Sequence, residues 1–119
     1  MNSEKFFLTL EELIQTNGII IDRPKGKAHP RFPDLIYPIN YGYIPGTNSA
    51  DGQGIDVFWG SNGEKKIQGI LCTFDGMKKD SEIKILYCCD ENEIKTAIMM
   101  LSHLPMCCIF VLRKFDNTE

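Results

Sequence analysis

The stretch that decides the fold covers residues 37–57 and reads YPINYGYIPGTNSADGQGIDV. Near its end, Asp51 starts a glycine-rich bend, and Asp56 enters an apolar run over residues 55–59 that is typical of a short strand. Carboxylates on either side of one bend could converge on a single point at the end of a sheet. Because Mg²⁺ prefers oxygen ligands and is commonly shared between one or two carboxylates and a phosphate, the pattern indicates a magnesium site.

The same stretch is rich in tyrosine. Tyr37, Tyr41 and Tyr43 carry phenol hydroxyls, which can donate to a phosphate oxygen without adding charge. Each feature alone has an ordinary explanation, because Asp-Gly is a common turn sequence and tyrosines often pack in cores or interfaces. Their combination in one short stretch favours a phosphate site.

Two helices are predicted around this stretch. The first has apolar residues at helical spacing and ends at Gly18, and Thr9 with Glu12 offers a capping box at which its regular part would start. The second begins at Asp90, with Glu93 three residues later completing a clearer capping box ahead of an apolar stripe.

The remaining elements are predicted to be short strands. They cover residues 19–21, 55–59, 66–74, 82–87 and 106–112. Five of the six prolines lie between residues 23 and 47, which predicts ordered loop and edge strand there. Short strands separated by turns, with too little helix to cover a parallel sheet, favour an α+β domain built on a small, largely antiparallel barrel.

The pattern Tyr-Pro-x-Asn-Tyr-Gly-Tyr-Ile from Tyr37, followed closely by Asp-Gly-x-x-hydrophobic-Asp-Val from Asp51, resembles the central signature of the family I soluble inorganic pyrophosphatases. A weaker resemblance extends over residues 19–86. It implies a five-stranded OB-like barrel and Mg²⁺-dependent hydrolysis of pyrophosphate to two phosphates. In that reaction a water held between metal ions attacks phosphorus directly, without a covalent intermediate.

The resemblance also implies roles for single residues. The implied metal ligands are Asp51, Asp56, Asp75 and Glu82. The implied substrate-binding residues are Arg31, Tyr37, Tyr41 and Lys84, and the positions at the reacting centre are Tyr41, Gln53 and Asp56. Glu82 matches the family's late aspartate only if the preceding turn is longer than in the family, and otherwise Asp80 takes that place. Asp22 resembles an acidic residue at the edge of the family's site.

Three departures from the family pattern weaken the implied site. Gln53 stands where the family has an aspartate that serves as general base, and a carboxamide cannot accept a proton near neutral pH. The second of two early basic positions has no evident match, and neither has a late tyrosine-lysine pair. Since general-base catalysis is worth about 10²–10⁴-fold, we expect reduced activity. Four carboxylates in one cavity would repel one another unless cations were bound, so metal binding is the firmest expectation.

Composition limits the classes of protein to consider. The chain has 119 residues, 43% of them hydrophobic, which suits one domain over residues 1–119. A net charge of −3 argues against a nucleic-acid binder, and no apolar run approaches the roughly 20 residues of a membrane span. Five cysteines without a Cys-x-x-Cys pair are expected to be reduced, which predicts a cytoplasmic protein. The family resemblance also implies self-association into a homo-oligomer.

Three functional hypotheses follow. The first is a hydrolase that acts on pyrophosphate with Mg²⁺ as cofactor. The second, motivated by Gln53 and the missing basic residue, is a non-catalytic protein that binds metal and phosphate. The third is a hydrolase of a related phosphoanhydride, because a shortened chain would leave the pocket more open.

Overall fold

The structure is a computed structural model that describes residues 3–49 and 51–115. Its elements in chain order are α1 (Ser3–Asn17), β1 (Ile20–Arg23), β2 (Asn40–Ile44), β3 (Ile55–Trp59), β4 (Ile67–Asp75), β5 (Asp80–Tyr87), α2 (Glu91–Met100) and β6 (Met106–Leu112). None of the helices in this part of the chain has both the length and the apolar character that a membrane span requires.

The strands form one sheet with the order β1-β2-β3-β5-β4-β6. Neighbours pair antiparallel except β3 and β5, which run parallel. The sheet therefore consists of two antiparallel halves, β1-β2-β3 and β5-β4-β6, joined along a parallel β3–β5 seam.

The prediction of helices together with a mainly antiparallel sheet is confirmed, but the five-stranded closed barrel is not. The described residues form six strands, and the hydrogen-bonded order is open, with β1 and β6 as its two edges. A closed barrel requires every strand to have two neighbours. β1 is followed directly by Pro24, so it stays short at its edge of the sheet.

The two faces of the sheet follow from the alternation of side chains along the strands. On the face that packs against α1, Val57 and Ile85 join a core with Phe7 and Ile14 of the helix. On the opposite face, Phe58, Leu71 and Leu86 pack against Ile94 and Ala97 of α2. We call these the α1 face and the α2 face. Asp56 and Lys84 are register partners across the seam and belong to the α2 face.

The two capping predictions have different outcomes. The capping box at the start of α2 is confirmed, because Asp90 accepts from the Glu93 backbone N–H at 2.8 Å and the Glu93 carboxylate accepts from the Asp90 N–H at 2.9 Å. The box at Thr9 is wrong, since α1 already starts at Ser3. The Thr9 hydroxyl instead donates to the Lys5 carbonyl at 2.7 Å, a bond typical of threonine inside a helix.

The proline-rich segment between β1 and β2 folds back on itself as an ordered loop. The Gly26 N–H donates to the Tyr37 carbonyl at 2.8 Å, and the Tyr37 N–H donates to the Lys27 carbonyl at 2.9 Å. The His29 N–H donates to the Leu35 carbonyl at 2.7 Å. These bonds place His29 beside Tyr37, where their rings stack with centroids 6.0 Å apart.

Gly42 has a structural reason within the tyrosine-rich signature. A Cβ atom at this position would lie 1.9 Å from the Ile20 carbonyl oxygen of β1. Only glycine therefore lets β1 approach β2 this closely, and the approach brings Arg23 opposite Tyr41 in the register.

Candidate functional site

Polar side chains on the α2 face follow the register of the central strands. Tyr43 of β2 lies opposite Asp56 of β3, which lies opposite Lys84 of β5. One step along, Glu82 lies opposite Thr73 of β4. The parallel seam thus brings together residues from two distant parts of the sequence.

Lys84 is the centre of this group. Its Nζ donates to the Asp56 carboxylate at 2.7 Å, to the Tyr41 hydroxyl at 2.9 Å and to the Glu82 carboxylate at 3.3 Å. These contacts use all three N–H donors of an ammonium group. Burial opposes the charged form, but the Tyr41 hydroxyl and the Asp56 carboxylate outweigh it and raise the pKa of Lys84. Burial also raises the pKa of Tyr41, so this phenol stays neutral. We call Tyr41, Asp56, Glu82 and Lys84 the Lys84 cluster.

The Lys84 cluster has an unsatisfied oxygen. Among the described residues, Glu82 Oε2 is buried and has no hydrogen-bond partner. The cluster also holds two carboxylates and one ammonium within salt-bridge distance, which leaves a net negative charge. Because an unpaired buried carboxylate oxygen is costly, this arrangement favours a further donor or a cation beside Glu82.

Mg²⁺ fits the donors of the Lys84 cluster in part. It is commonly held by one or two carboxylates and completed by water and substrate phosphate. Asp56 and Glu82 supply two carboxylates, and Glu82 Oε2 has no hydrogen-bond partner in the part of the chain that the structure describes. Over residues 3–49 and 51–115, however, the structure gathers no group of three or more His, Cys, Asp or Glu side chains suited to a metal ion. The predicted set of four aspartate and glutamate ligands therefore stays a prediction.

Asp51 and Gln53 lie on the exposed bend before β3. The Asp51 carboxylate accepts from the Ser49 hydroxyl at 2.7 Å and from the Gln53 backbone N–H at 2.9 Å, and Gly52 adopts a φ of 77° in the turn. The bond from Ser49 is the main reason that the pKa of Asp51 is lowered, and the charge of Lys84 adds to it. Asp51 thus interacts electrostatically with Lys84, but its carboxylate is hydrogen-bonded within its own turn.

Asp75 lies at the tip of the β4–β5 hairpin. Its carboxylate accepts from the backbone N–H groups of Lys78, at 3.1 Å, and Met77, at 2.9 Å, which lower its pKa. Asp80 is its register partner, two pairs beyond the Glu82–Thr73 pair. The structure therefore places Glu82 against Lys84 and leaves Asp75 and Asp80 together at the hairpin tip.

Arg23 is a site residue that the sequence patterns did not identify. Its Nη1 donates to the Tyr37 hydroxyl, and its guanidinium lies 5.5 Å from the Tyr37 ring centroid and 5.9 Å from that of Tyr41. Tyr37 and Tyr41 stack at 5.5 Å, and Lys84 Nζ lies 5.5 Å from the Tyr41 ring on this face. Strand alternation would not have found Arg23, because a β-bulge between Ile21 and Arg23 shifts the register and brings Arg23 opposite Tyr41.

Arg31 lies in the proline-rich loop. Its backbone N–H donates to His29 Nδ1 at 3.0 Å. Its side chain lines an open cleft of about 440 Å³ together with Phe32 and Asp34, in a segment of the loop distinct from the strands that carry the Lys84 cluster. A second open cleft, of about 450 Å³, lies beside Glu82 and is lined by Ser49 and Thr73 among others.

No model of a protein family matches the sequence, and no curated protein matches it. A structure of an inorganic phosphatase from Anaplasma phagocytophilum matches with a TM-score of 0.55 and 16% identity, over 79% of this chain and 81% of that one. An inorganic pyrophosphatase from Neisseria gonorrhoeae matches with a TM-score of 0.51 and 23% identity, over 74% of each chain. At these identities the likeness shows that the chain shares its fold with these two enzymes.

Proposed function

We propose that the protein is a Mg²⁺-dependent hydrolase that cleaves inorganic pyrophosphate into two phosphates. The observation that carries this proposal is the Lys84 cluster, in which Asp56 and Glu82 contact one ammonium and one buried carboxylate oxygen has no hydrogen-bond partner among the described residues. The shared fold with an inorganic pyrophosphatase supports it.

Cations and neutral phenols on the α2 face suit a polyanionic substrate. Arg23 and Lys84 both contact the Tyr41 ring, so two positive charges flank this residue. A guanidinium can grip phosphate oxygens with two parallel hydrogen bonds, whereas an ammonium acts as a point charge. The Tyr37 and Tyr41 hydroxyls would supply neutral hydrogen bonds to phosphate oxygens between the two cations. Arg31 lies in the proline-rich loop, so it would contact the substrate from outside the sheet.

Asp56 and Glu82 would hold the magnesium ion. When bound, Mg²⁺ supplies charge neutralisation at the phosphate oxygens and makes a water molecule more acidic. Lys84 would then exchange a carboxylate partner for a phosphate oxygen. We keep Asp51 and Asp75 as further ligands in this proposal, and both would have to exchange hydrogen bonds within their turns for contacts to metal.

The reaction is the addition of water across a phosphoanhydride bond. The water oxygen forms a bond to one phosphorus, the bridging P–O bond breaks, and the second phosphate leaves with the electron pair. The proton of the attacking water passes to the leaving phosphate or to solvent water, because the Gln53 carboxamide cannot accept it. We therefore propose slow turnover rather than none.

A non-catalytic metal and phosphate binder is the second candidate. The position of Gln53 favours it, because this residue is exposed on the bend and its N–H is bonded to Asp51. Calorimetric binding of pyrophosphate with Mg²⁺, without any phosphate released during the titration, would support this candidate over the hydrolase.

The test of the hydrolase is phosphate release from pyrophosphate, with and without Mg²⁺, by the wild type, Asp56→Asn and Asp80→Asn. We expect Mg²⁺-dependent release that falls by about 10²–10³-fold in Asp56→Asn, the size typical of losing one aligned group at a reacting centre. Asp80→Asn is a matched control, because it makes the same chemical change at the hairpin tip. Equal silence of the wild type and Asp56→Asn would exclude the hydrolase, and a loss at Asp80 as large as at Asp56 would contradict the role of Glu82.

A further inference from the structure

The outer edge of β6 presents unpaired backbone groups. The Arg113 N–H, just after this strand, donates to the Gln68 carbonyl at 2.9 Å, so it points towards β4. Successive N–H groups of an extended strand point to opposite sides. Those of Leu112, Phe110 and Cys108 therefore point away from β4, where the described residues provide no neighbouring strand.

This edge lacks the features that usually protect an edge strand. Residues 104–112 contain no charged side chain, and the strand itself, MCCIFVL, contains no proline. Ile109 and Leu112 are 66% and 60% exposed. The opposite edge differs, because β1 has four residues, carries Asp22 and Arg23 and is followed by Pro24. Of the two edges, β6 is the one suited to pairing.

The described chain after β6 does not turn back over this edge. Arg113 is buried and binds Glu4 and Glu11 of α1 through its guanidinium. Phe115 then lies against Arg113, with the ring centroid 4.3 Å from Cζ. These contacts lead the described chain towards α1, so residues 113–115 do not cover the outer edge of β6.

We propose that β6 pairs antiparallel with β6 of a second copy of this chain, about a twofold axis. An antiparallel edge is self-complementary, so one surface serves both partners. Its lack of charge means that symmetric pairing brings no like charges together, although each chain carries a net charge of −3. A strand of this length spans about 23 Å, and its pairing would bury roughly 500 Å² per copy. The total is near the lower limit of about 1,000 Å² for a specific interface, so we expect weak association in the micromolar range.

Ile109 is the central residue of β6 and gives the sharpest test. Its own N–H points towards β4, so a pairing centred on the strand places it in a non-hydrogen-bonded pair with its copy, where the two side chains are about 5 Å apart. Ile109→Lys would set two ammonium groups against each other. Ile20→Lys is the matched control, because Ile20 is an exposed isoleucine on the other edge.

The experiment is sedimentation velocity of the full chain under reducing conditions, from about 2 to about 200 μM so that the range brackets the expected constant. We expect the wild type and Ile20→Lys to dimerise alike, and Ile109→Lys to weaken dimerisation at least tenfold. A wild type that stays monomeric throughout, or an Ile20→Lys variant as impaired as Ile109→Lys, would overturn the proposal.

A second variant, Leu112→Pro, tests backbone pairing separately. It removes one outward N–H at a position where an edge strand tolerates proline. Circular dichroism verifies that each variant is folded before its mass is compared. Weakened dimerisation in a folded Leu112→Pro protein supports strand pairing. A dimer as tight as the wild type's would overturn it and point to side-chain packing alone.

Discussion

Two buried cations among the described residues, Arg113 and Lys84, each lie between two carboxylates, and the two groups differ in their hydrogen bonds. Arg113 donates to both oxygens of Glu4, at 2.9 and 3.0 Å, and to Glu11 at 2.6 Å. The same Glu11 oxygen accepts from the Ile67 N–H at 2.7 Å. In the Lys84 cluster, by contrast, one oxygen of Glu82 has no partner among the described residues.

The difference separates a structural ion pair from a site that can take a ligand. The planar guanidinium of Arg113 matches carboxylate geometry and ties α1 to the end of the sheet. The ammonium of Lys84 is a point charge that can change partners without a fixed orientation. The several hydrogen bonds around Arg113 favour rigidity, whereas the Glu82 oxygen without a partner among the described residues is where we propose that a ligand binds.

Removal of the Arg113 guanidinium should have the largest effect on stability. We expect Arg113→Met to lower the free energy of unfolding by about 3–5 kcal/mol, because Glu4 and Glu11 would lose the guanidinium that they bind at a largely buried position. Urea denaturation followed by circular dichroism measures this loss. Lys114→Met is the control, since Lys114 is the exposed neighbour. If both variants lost the same small amount, the Arg113 group would not be structural.

Removal of the Lys84 ammonium should affect activity more than folding. We expect Lys84→Met to reduce pyrophosphate turnover by about 10²–10³-fold, comparable with the loss of one preorganised donor. We also expect Mg²⁺ to raise the melting temperature of this variant more than that of the wild type, because a cation would replace the missing charge between Asp56 and Glu82. Lys95→Met on the exposed side of α2 is the control.

The opposite result at Lys84 would be informative. If both folded variants, Lys84→Met and Lys95→Met, kept the turnover of the wild type, the Lys84 ammonium would have no part in binding substrate. The comparison between the two cations would then reduce to two structural ion pairs.

The smallest expected effect is a difference at alkaline pH. The pKa of Lys84 is raised in the folded state, so its contribution to stability is complete below the ordinary value of about 10.4 and is lost as pH rises through the folded value. Arg113 keeps its charge throughout this range. Melting temperatures from about pH 9 to about pH 11.5 should therefore fall more steeply for the wild type than for Lys84→Met. If the melting temperatures of the two proteins fell equally with pH, Lys84 would not contribute to the loss of stability at alkaline pH.

Local sequence signals predicted much of the fold. Apolar runs located most of the strands, and the Asp90–Glu93 pattern located the start of α2, because these signals depend on neighbours in the sequence. The Thr9 pattern failed for a physical reason: a threonine three residues before a glutamate also occurs inside a helix, where its hydroxyl bonds to the backbone.

The pairing of distant strands could not be read from the sequence. Turn signals predict antiparallel pairing of strands that follow one another in the sequence. Asp56 and Lys84 meet because β3 pairs in parallel with β5, although β4 lies between these two strands in the sequence. For the same reason the open sheet could not be predicted, and the five-stranded OB-like barrel rested on the family resemblance alone. At the site, the turn chemistry of Asp51 and Asp75 competes with metal binding, and sequence alone does not rank the two.

The β3–β5 seam links the site to the integrity of the fold. It is the backbone ladder that joins the two halves of the described sheet, and Asp56 stands on one side of it while Glu82 and Lys84 stand on the other. A ligand bound by residues on both sides would contact both halves of the sheet and oppose their separation. Under the proposed function, binding of this ligand would stabilise the folded chain, and a higher concentration of the ligand would keep more of the chain folded.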